Sequence, residues 1–465
     1  LLNKGNYMRL KNEIVQDGYF WLPGGEGSKI FGTFIMRENE NIHIELKGLF
    51  EGDTTSPDND IFDTVHGYTD HLGYITFSDC FYTKQDISFG GMSNGSATLL
   101  VNHVYTGDLL TNPNDLHLKS LTFRFDHLDE WLSISGIKVE RQSSNSEKPN
   151  AIYYNKPNPI YFDLGEGFSL SIDFSYSIPG FPNITEAKFT QKAFFNLTSD
   201  KPCALSELDK MAHKILRLIS LFIGTPLVIS DLVAKTFTED KIIKIFYKSA
   251  AYAKKENISF HDMNFLYKHI EGDLGELIRK WSTSHDLLLP SISLYFSSFT
   301  GQNALLDARF LSLVQGLETF HRRTSSEKYM DEDLFKKLVE ELLNSCPEEH
   351  VKWLKGRTMH GNEISLNRRL ELLMAPFSNL IGNQRTLAKL ARKISTTRNY
   401  KTHYDPSAEN AAVDGIDMYK LIVFMECLLN LLFLNHINFP IEKLNLRVEN
   451  NSCKLNKLLK YSLSK

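Results

Sequence analysis

The sequence predicts an α+β multidomain protein: a β-rich N-terminal region followed by an all-α helical bundle. Three observations carry this. Residues 18 to about 135 alternate apolar and polar positions between Gly/Pro-rich turns, as in GYFWLPGGEGSKIFGTFIM, NIHIELKGLF and GYITFSDCFY. The period then changes in LSELDKMAHKILRLISLFIGTPL, where Leu208, Met211, Ile215, Leu218 and Ile219 recur at helical spacing. Finally, Leu421–Leu434 (LIVFMECLLNLLFL) is apolar on nearly every side, as expected of a helix at the centre of a bundle.

The elements follow in order. Strands and tight turns fill 18–135, LTFRFDHLDEWL included, and 136–150 is polar and reads as a loop or linker. A second β-rich stretch runs from Ile152 to about Leu197, and from the helix that follows it helices dominate to the end. Candidate helices of the bundle are about 303–323, 331–345, 366–375, 384–403 and 416–436. A boundary is expected near Leu289-Pro290, because proline disfavours helix in the residue before it. The expected domains are 1–135, a β-rich N-terminal domain; 150–290, a second β segment with connecting helices; 291–440, the helical domain; and 441–465, a basic C-terminal tail.

Composition narrows the function classes. A chain of 465 residues can bury two or three cores. Net charge is −4, so any nucleic-acid surface must be local. Five cysteines (Cys80, Cys203, Cys346, Cys427, Cys453) lie far apart with no C-x-x-C pair, which points to a reducing compartment and away from a zinc knuckle. No basic segment followed by an apolar one opens the chain, and 421–434 is shorter than the ~20 apolar residues of a membrane span. A cytoplasmic protein with no membrane contact is expected. Residues 38–79 hold ten acidic side chains against Lys47 alone, a surface that repels phosphates.

The local positive patch lies in 381–403, with six Lys/Arg and no carboxylate. On the helix QRTLAKLARKISTTR, Leu387, Leu390, Ala391 and Ile394 form an apolar face, and Arg385, Lys389, Arg392 and Lys393 lie opposite. Arg398 falls on the apolar side, where a guanidinium must be paired or must face a functional cleft. His403 follows five residues later. Positions i and i+5 of a regular helix sit about 140° apart, so the helix is expected to end or bend between them, or the site to be completed from a second chain. Asp405-Pro406 supplies the stop.

An arginine, four residues, a histidine and a polar residue straight after the arginine (Arg398, His403, Asn399) on a basic helix of a bundle resemble the HEPN motif. ARFLSLVQGLETFHRR (308–323) with TRNYKTHYD is similar to the HEPN domain of the ApeA group of bacterial anti-phage abortive-infection proteins. GYFWLP, GTFIM, IHIELKGLF and ITFSDC resemble that group's N-terminal domain. The resemblance implies a ribonuclease that needs no metal and no cofactor and uses the RNA 2′-hydroxyl as nucleophile. His403 would be general acid or base, a role suited to imidazole. Arg398 would stabilise phosphate charge, and Asn399 would orient one of them. Arg385, Lys389, Arg392, Lys393 and Lys401 would bind substrate RNA, with tRNA among the candidates. It also implies a homodimer or higher oligomer through the HEPN domain, and a phage-derived trigger at the N-terminal region. The alternative is a non-catalytic HEPN protein that binds nucleotides or a partner, with the β domain as recognition module.

Other signals are weaker. His321 lies on the apolar face of Phe310, Leu313, Val314 and Leu317 and reads as a core histidine. Glu318, at the edge of that face, is a candidate partner for Arg398. Gly91-Met92-Ser93-Asn94-Gly95 matches a hydrolase elbow, but its surroundings read as two strands around a glycine turn. Asp63, His66, Asp70 and His71 read as solvated side chains rather than a metal site, and Asp58-Asn59-Asp60 lacks the glycine and glutamate of a calcium loop. The basic KLNKLLKYSLSK reads as a surface helix or frayed tail.

Overall fold

A computed structural model describes residues 8–464 except 11, 39, 51–60, 87–94, 142–149, 179, 181–183, 248–257, 300–304, 405 and 450–452. The Gly91–Gly95 motif, apart from Gly95 itself, and Asp58-Asn59-Asp60 lie outside the described residues. The chain divides into two compact units, Leu1–Ser282 and Thr283–Lys465.

The first unit holds strands β1 (Ile14–Trp21), β2 (Ile30–Met36), β3 (His43–Leu46), β4 (Ile61–Thr69), β5 (Gly73–Asp86), β6 (Ser96–Thr106) and β7 (His117–Phe125), then helix α1 (Leu128–Leu132). Strands β8 (Ile137–Glu140), β9 (Ala151–Tyr154), β10 (Ile160–Gly165), β11 (Phe168–Ser177) and β12 (Thr190–Ala204) follow. Helix α2 (Leu205–Ile223), strands β13 (Ile229–Thr236) and β14 (Ile242–Tyr247), and helix α3 (Tyr267–Ile270) come next, before α4 (Leu274–Ser297) crosses the division.

Strands β1, β2, β3, β6, β5 and β4 pair in that order, all antiparallel, and β4 pairs back to β1, closing a barrel. Its interior is filled rather than hollow. Phe77 lies 5.8 Å from Phe20 and 5.2 Å from Phe34, ring centre to ring centre, among buried Ile44, Val65, Leu99 and Val101. Room for the rings comes from Gly67, where an added Cβ would lie 2.8 Å from Phe77 and 2.9 Å from Phe20. Along the edge away from β5, β6 gives residues 97–100 to β3 and residues 103–106 to β14. From β14 the sheet continues through β13, β7, β12 and β11 to β10, with α2 packed on β7 and β12.

This topology departs from the sequence reading in four places. Strands from 1–135 and 150–290 share one sheet, because β7 pairs with both β12 and β13. The 136–150 segment is not a plain linker: its start, β8, pairs with β9 as a separate hairpin. LDEWL is helix α1, not strand. After α2 the chain returns to the sheet as β13 and β14, short apolar runs that strand and helix share.

A titratable cluster sits between α2 and the sheet. The Tyr247 hydroxyl donates to Asp209 Oδ1 (2.6 Å), and His213 Nδ1 lies 3.3 Å from the same oxygen. Burial opposes both charges, yet their contact outweighs it, holding Asp209 below and His213 above their ordinary pKa values.

The second unit contains α5 (Leu306–Thr324), α6 (Glu332–Asn344), α7 (Glu348–Thr358), α8 (Leu366–Met374), α9 (Ser378–Ile381), α10 (Gln384–His403), α11 (Gly415–His436), α12 (Ile441–Glu449) and α13 (Lys454–Leu463). Helix α7 was not anticipated. Pro290 does not end α4: Leu288 and Ile292 are buried on either side and the Ser291 hydroxyl donates to Gly316 O (2.9 Å), so packing outweighs the missing N–H. Helix α11 is buried from Leu421 to Leu434, with α5 and α13 against it. The basic C-terminal segment is therefore neither tail nor frayed end, since α13 buries Leu455 and Leu459. No described helix is long and apolar enough to cross a membrane.

Candidate ribonuclease site at the end of the basic helix

Helix α10 begins where Asn383 Oδ1 accepts from Thr386 N (3.1 Å), and it buries Leu387, Ala391, Ile394 and Thr397. The buried stripe thus passes through Thr397, not Arg398. Thr397 is fully enclosed: its hydroxyl donates to Lys393 O (2.8 Å) and accepts from Val413 N (3.2 Å), tying the helix to the chain entering α11.

Arg398 is half-buried, and its Nη1 donates to Asn399 Oδ1 at 3.2 Å. No carboxylate pairs with it among the described residues. Glu318, the partner considered from sequence, instead accepts from Arg322 (3.1 Å). The helix does not end between Arg398 and His403. It runs through His403 and stops at Tyr404, which takes the left-handed conformation (φ 52°, ψ 36°) and donates its N–H to Tyr400 O (2.6 Å).

At ~100° per residue, Arg385, Lys389, Arg392, Asn399 and His403 fall on one stripe ~27 Å long, and all five are exposed. Arg398 starts off this stripe, and its bond to Asn399 draws its head group back toward it. Asn399 is the i−4 neighbour of His403.

The remaining two basic residues differ. Lys393 Nζ is 3.6 Å from Asp417. The Lys401 side chain is only 9% exposed, with Nζ 3.1 Å from Asp307 and 3.8 Å from Asp414. Burial works against its charge, but the two carboxylates outweigh it and hold its pKa above the ordinary lysine value. Its position suits a fastener between helices better than a phosphate contact.

Two charge clusters form around buried side chains; His321 is the core histidine that the sequence suggested, and its charged partners were not foreseen. His321 is buried and its Nδ1 accepts from Arg369 Nη1 (3.0 Å); burial and the Arg369 charge hold its pKa below the ordinary imidazole value. Arg369 in turn bonds Glu363, which also accepts from Arg322 (2.7 Å) and Lys328 (2.7 Å). Glu426 of α11 accepts from Arg309 (2.8 Å) and Ser298 (3.3 Å). Burial, only partly offset by Arg309, raises its pKa. Glu426 inside an apolar run was the visible signal. His66, read as solvated, is buried, with Nε2 2.9 Å from Leu110 O.

A β-barrel unit followed by a helical unit whose basic helix ends in arginine, asparagine and histidine has the form of a two-part HEPN protein. The family model for ApeA N-terminal domain 1 matches residues 17–281, ending one residue before the division between the units, and the model for the Apea-like HEPN domain matches 311–443. The chain belongs to the ApeA family of anti-phage HEPN proteins. HEPN domains are generally associated with ribonuclease activity, and they typically dimerise and bind RNA. Neither the curated proteins nor the solved structures contain a significant match.

Proposed function

We propose that the chain is an RNA endonuclease of anti-phage abortive infection that needs no metal, with Arg398, Asn399 and His403 as its working group. The observation that carries this is the Arg398–Asn399 hydrogen bond at the exposed end of a basic helix, on the stripe that carries His403. The exposed Arg385, Lys389 and Arg392 would track the RNA backbone, with Lys393 beside them.

In the reaction the RNA 2′-oxygen bonds to the adjacent phosphorus as the P–O5′ bond breaks. The imidazole of His403 takes the 2′-hydroxyl proton or returns one to the leaving 5′-oxygen. The Arg398 guanidinium offsets the charge gathering on the phosphate oxygens, and Asn399 keeps that guanidinium on the His403 side. Lys401 serves as a positioning residue through Asp307 and Asp414. The active species is a homodimer or larger through the HEPN unit, and the acidic barrel unit receives a phage-derived trigger.

The test is purified protein with total RNA in excess EDTA. Cleavage leaving 2′,3′-cyclic phosphate and 5′-hydroxyl ends is expected, lost by ~10²–10⁴-fold in His403→Ala and in Arg398→Ala with the fold retained. A 5′-phosphate product, a Mg²⁺ requirement, or undiminished cleavage by either folded variant refutes the assignment. RNA binding without cleavage returns the reading to a non-catalytic HEPN protein.

A further inference from the structure

Helix α7 packs on α6, and Val351, Leu354 and Thr358 are half-buried along one side of it. The hairpin that the two helices form is fastened at its base by Asn362, which is buried. The Asn362 side chain accepts from Met330 N (2.9 Å) and donates to Met330 O (3.0 Å), and its backbone carbonyl accepts from Tyr329 N (2.9 Å).

On the opposite side of α7 stands Trp353, 62% exposed, whereas Trp21, Trp131 and Trp281 are 1%, 0% and 0% exposed. An indole left in water gives up the burial that the other three contribute to stability. At ~100° per residue, His350 and Arg357 fall within ~60° of Trp353 on one flank, and Gly356 and Lys352 within ~100° on the other. A Cβ on Gly356 would meet nothing within 4 Å, so the space beside the indole is open.

The charge around this ring is almost all of one sign. From His350 to Asn362 the chain carries Lys352, Lys355 and Arg357 and no carboxylate. The acids of the helix, Glu348 and Glu349, are confined to its first turn, where Glu349 lies 3.4 Å from His350. None of the three cations has an ion pair or a side-chain hydrogen bond among the described residues.

We infer that this face of α7 is a second contact for single-stranded RNA, in which Trp353 stacks on a base while Lys352 and Arg357 neutralise phosphates on either side of it. Every base offers a flat face, and an open aromatic ring between unpaired cations meets both the base and the backbone of a single strand. An anionic membrane is the poorer occupant. Insertion requires an apolar face around the indole, and here its neighbours are His350, Lys352, Gly356 and Arg357, with Val351 and Leu354 turned away. The inference rests on RNA as the substrate in the reading above and extends the footprint beyond α10.

The probe is 2′-O-methyl oligoadenylate, which lacks the free 2′-hydroxyl and so survives the proposed cleavage. With three of the four tryptophans buried, acrylamide quenching of emission from the full chain reports on Trp353. Quenching is expected in the free protein and protection at saturating probe. Trp353→Ala, an exposed substitution that keeps the fold, should weaken probe binding by about 5- to 100-fold, and Trp353→Phe should retain most of the affinity. Arg357→Ala should lower the salt slope by about 0.7. An indole shielded before probe is added, an indole still quenched at saturation, undiminished binding by Trp353→Ala, or protection by phosphatidylglycerol vesicles and not by the probe overturns this inference alone. Wild-type protein that does not bind the probe overturns both this inference and the reading of RNA as substrate. Protection of Trp353 in a protein that cleaves no RNA upholds the contact and removes only the nuclease reading.

Discussion

Replacing Arg309 by Met should destabilise the helical unit by about 3–5 kcal/mol, the range for removing one partner of a buried ion pair. Glu426 lies on the most enclosed helix of the unit, its side chain 10% exposed, and Arg309 supplies its close counter-charge at 2.8 Å. Without Arg309 the carboxyl keeps, among the described residues, the Ser298 hydroxyl at 3.3 Å and the weaker pull of the Lys454 charge, too little to offset its desolvation. For a unit of this size a loss of that order lowers the midpoint by roughly 8–15 °C. The sign with pH is also set. Glu426 already has a folded pKa above its unfolded value, so the folded state holds the proton more readily, and stability falls as pH rises from the unfolded carboxylate range through the folded value. Removing Arg309 widens that window upward. Calorimetric melts from pH 4 to 8 on wild type, Arg309→Met and Arg309→Met/Glu426→Met measure this. The double variant should recover most of the loss, since well-packed apolar side chains replace such pairs at little cost. A single variant within 1 kcal/mol of wild type, or a double no better than the single, refutes the reasoning.

Gly67→Ala should cost the barrel unit about 1–3 kcal/mol by overpacking against Phe20 and Phe77, read as a lower urea midpoint; an unchanged midpoint refutes it. Asp209, depressed, contributes stability that is lost as pH falls through its folded value. His213, raised, contributes stability that is complete below the ordinary imidazole range and lost as pH rises through its folded value. The first unit should therefore lose stability above about pH 6.5, and His213→Ala should flatten that limb; parallel curves argue against it. For RNA binding, Lys389→Ala should lower the salt slope by about 0.7, whereas Lys401→Ala should leave the slope alone and lower the melting temperature. Equal slope changes in both would return Lys401 to the substrate surface.

Five helices of the bundle, α5, α6, α8, α10 and α11, were legible because each carries its own signal in sequence. The stripe from Leu387 to Ile394 and the apolar run from Leu421 both declare themselves within a few turns. What was hidden depended on partners far along the chain. Nothing within 136–150 says that Ile137–Glu140 will pair with Ala151–Tyr154. Nothing near Pro290 says that Ser291 will find Gly316. At the site, the residue types and their spacing were readable, but the course of the burial stripe was not. A hydroxyl anchored at Val413 let Thr397 take the inward position that regular periodicity gave to Arg398. Lys401 read as a phosphate contact because its carboxylates, Asp307 and Asp414, are remote or beyond the helix stop.

The division of one edge of β6 between β3 and β14 has a consequence for synthesis. Residues 97–100 have their partner already made when they emerge, whereas His103–Tyr105 and Thr106 must wait for Lys244–Tyr247. That interval is roughly 140 residues, or ~7–30 s at ordinary elongation rates. For that time the nascent barrel carries an unpaired strand end, the kind of edge on which neighbouring chains nucleate aggregates. Holding it apart falls to whatever accompanies the chain on the ribosome, so translation speed through residues 107–247 should govern how much of the protein reaches its native state.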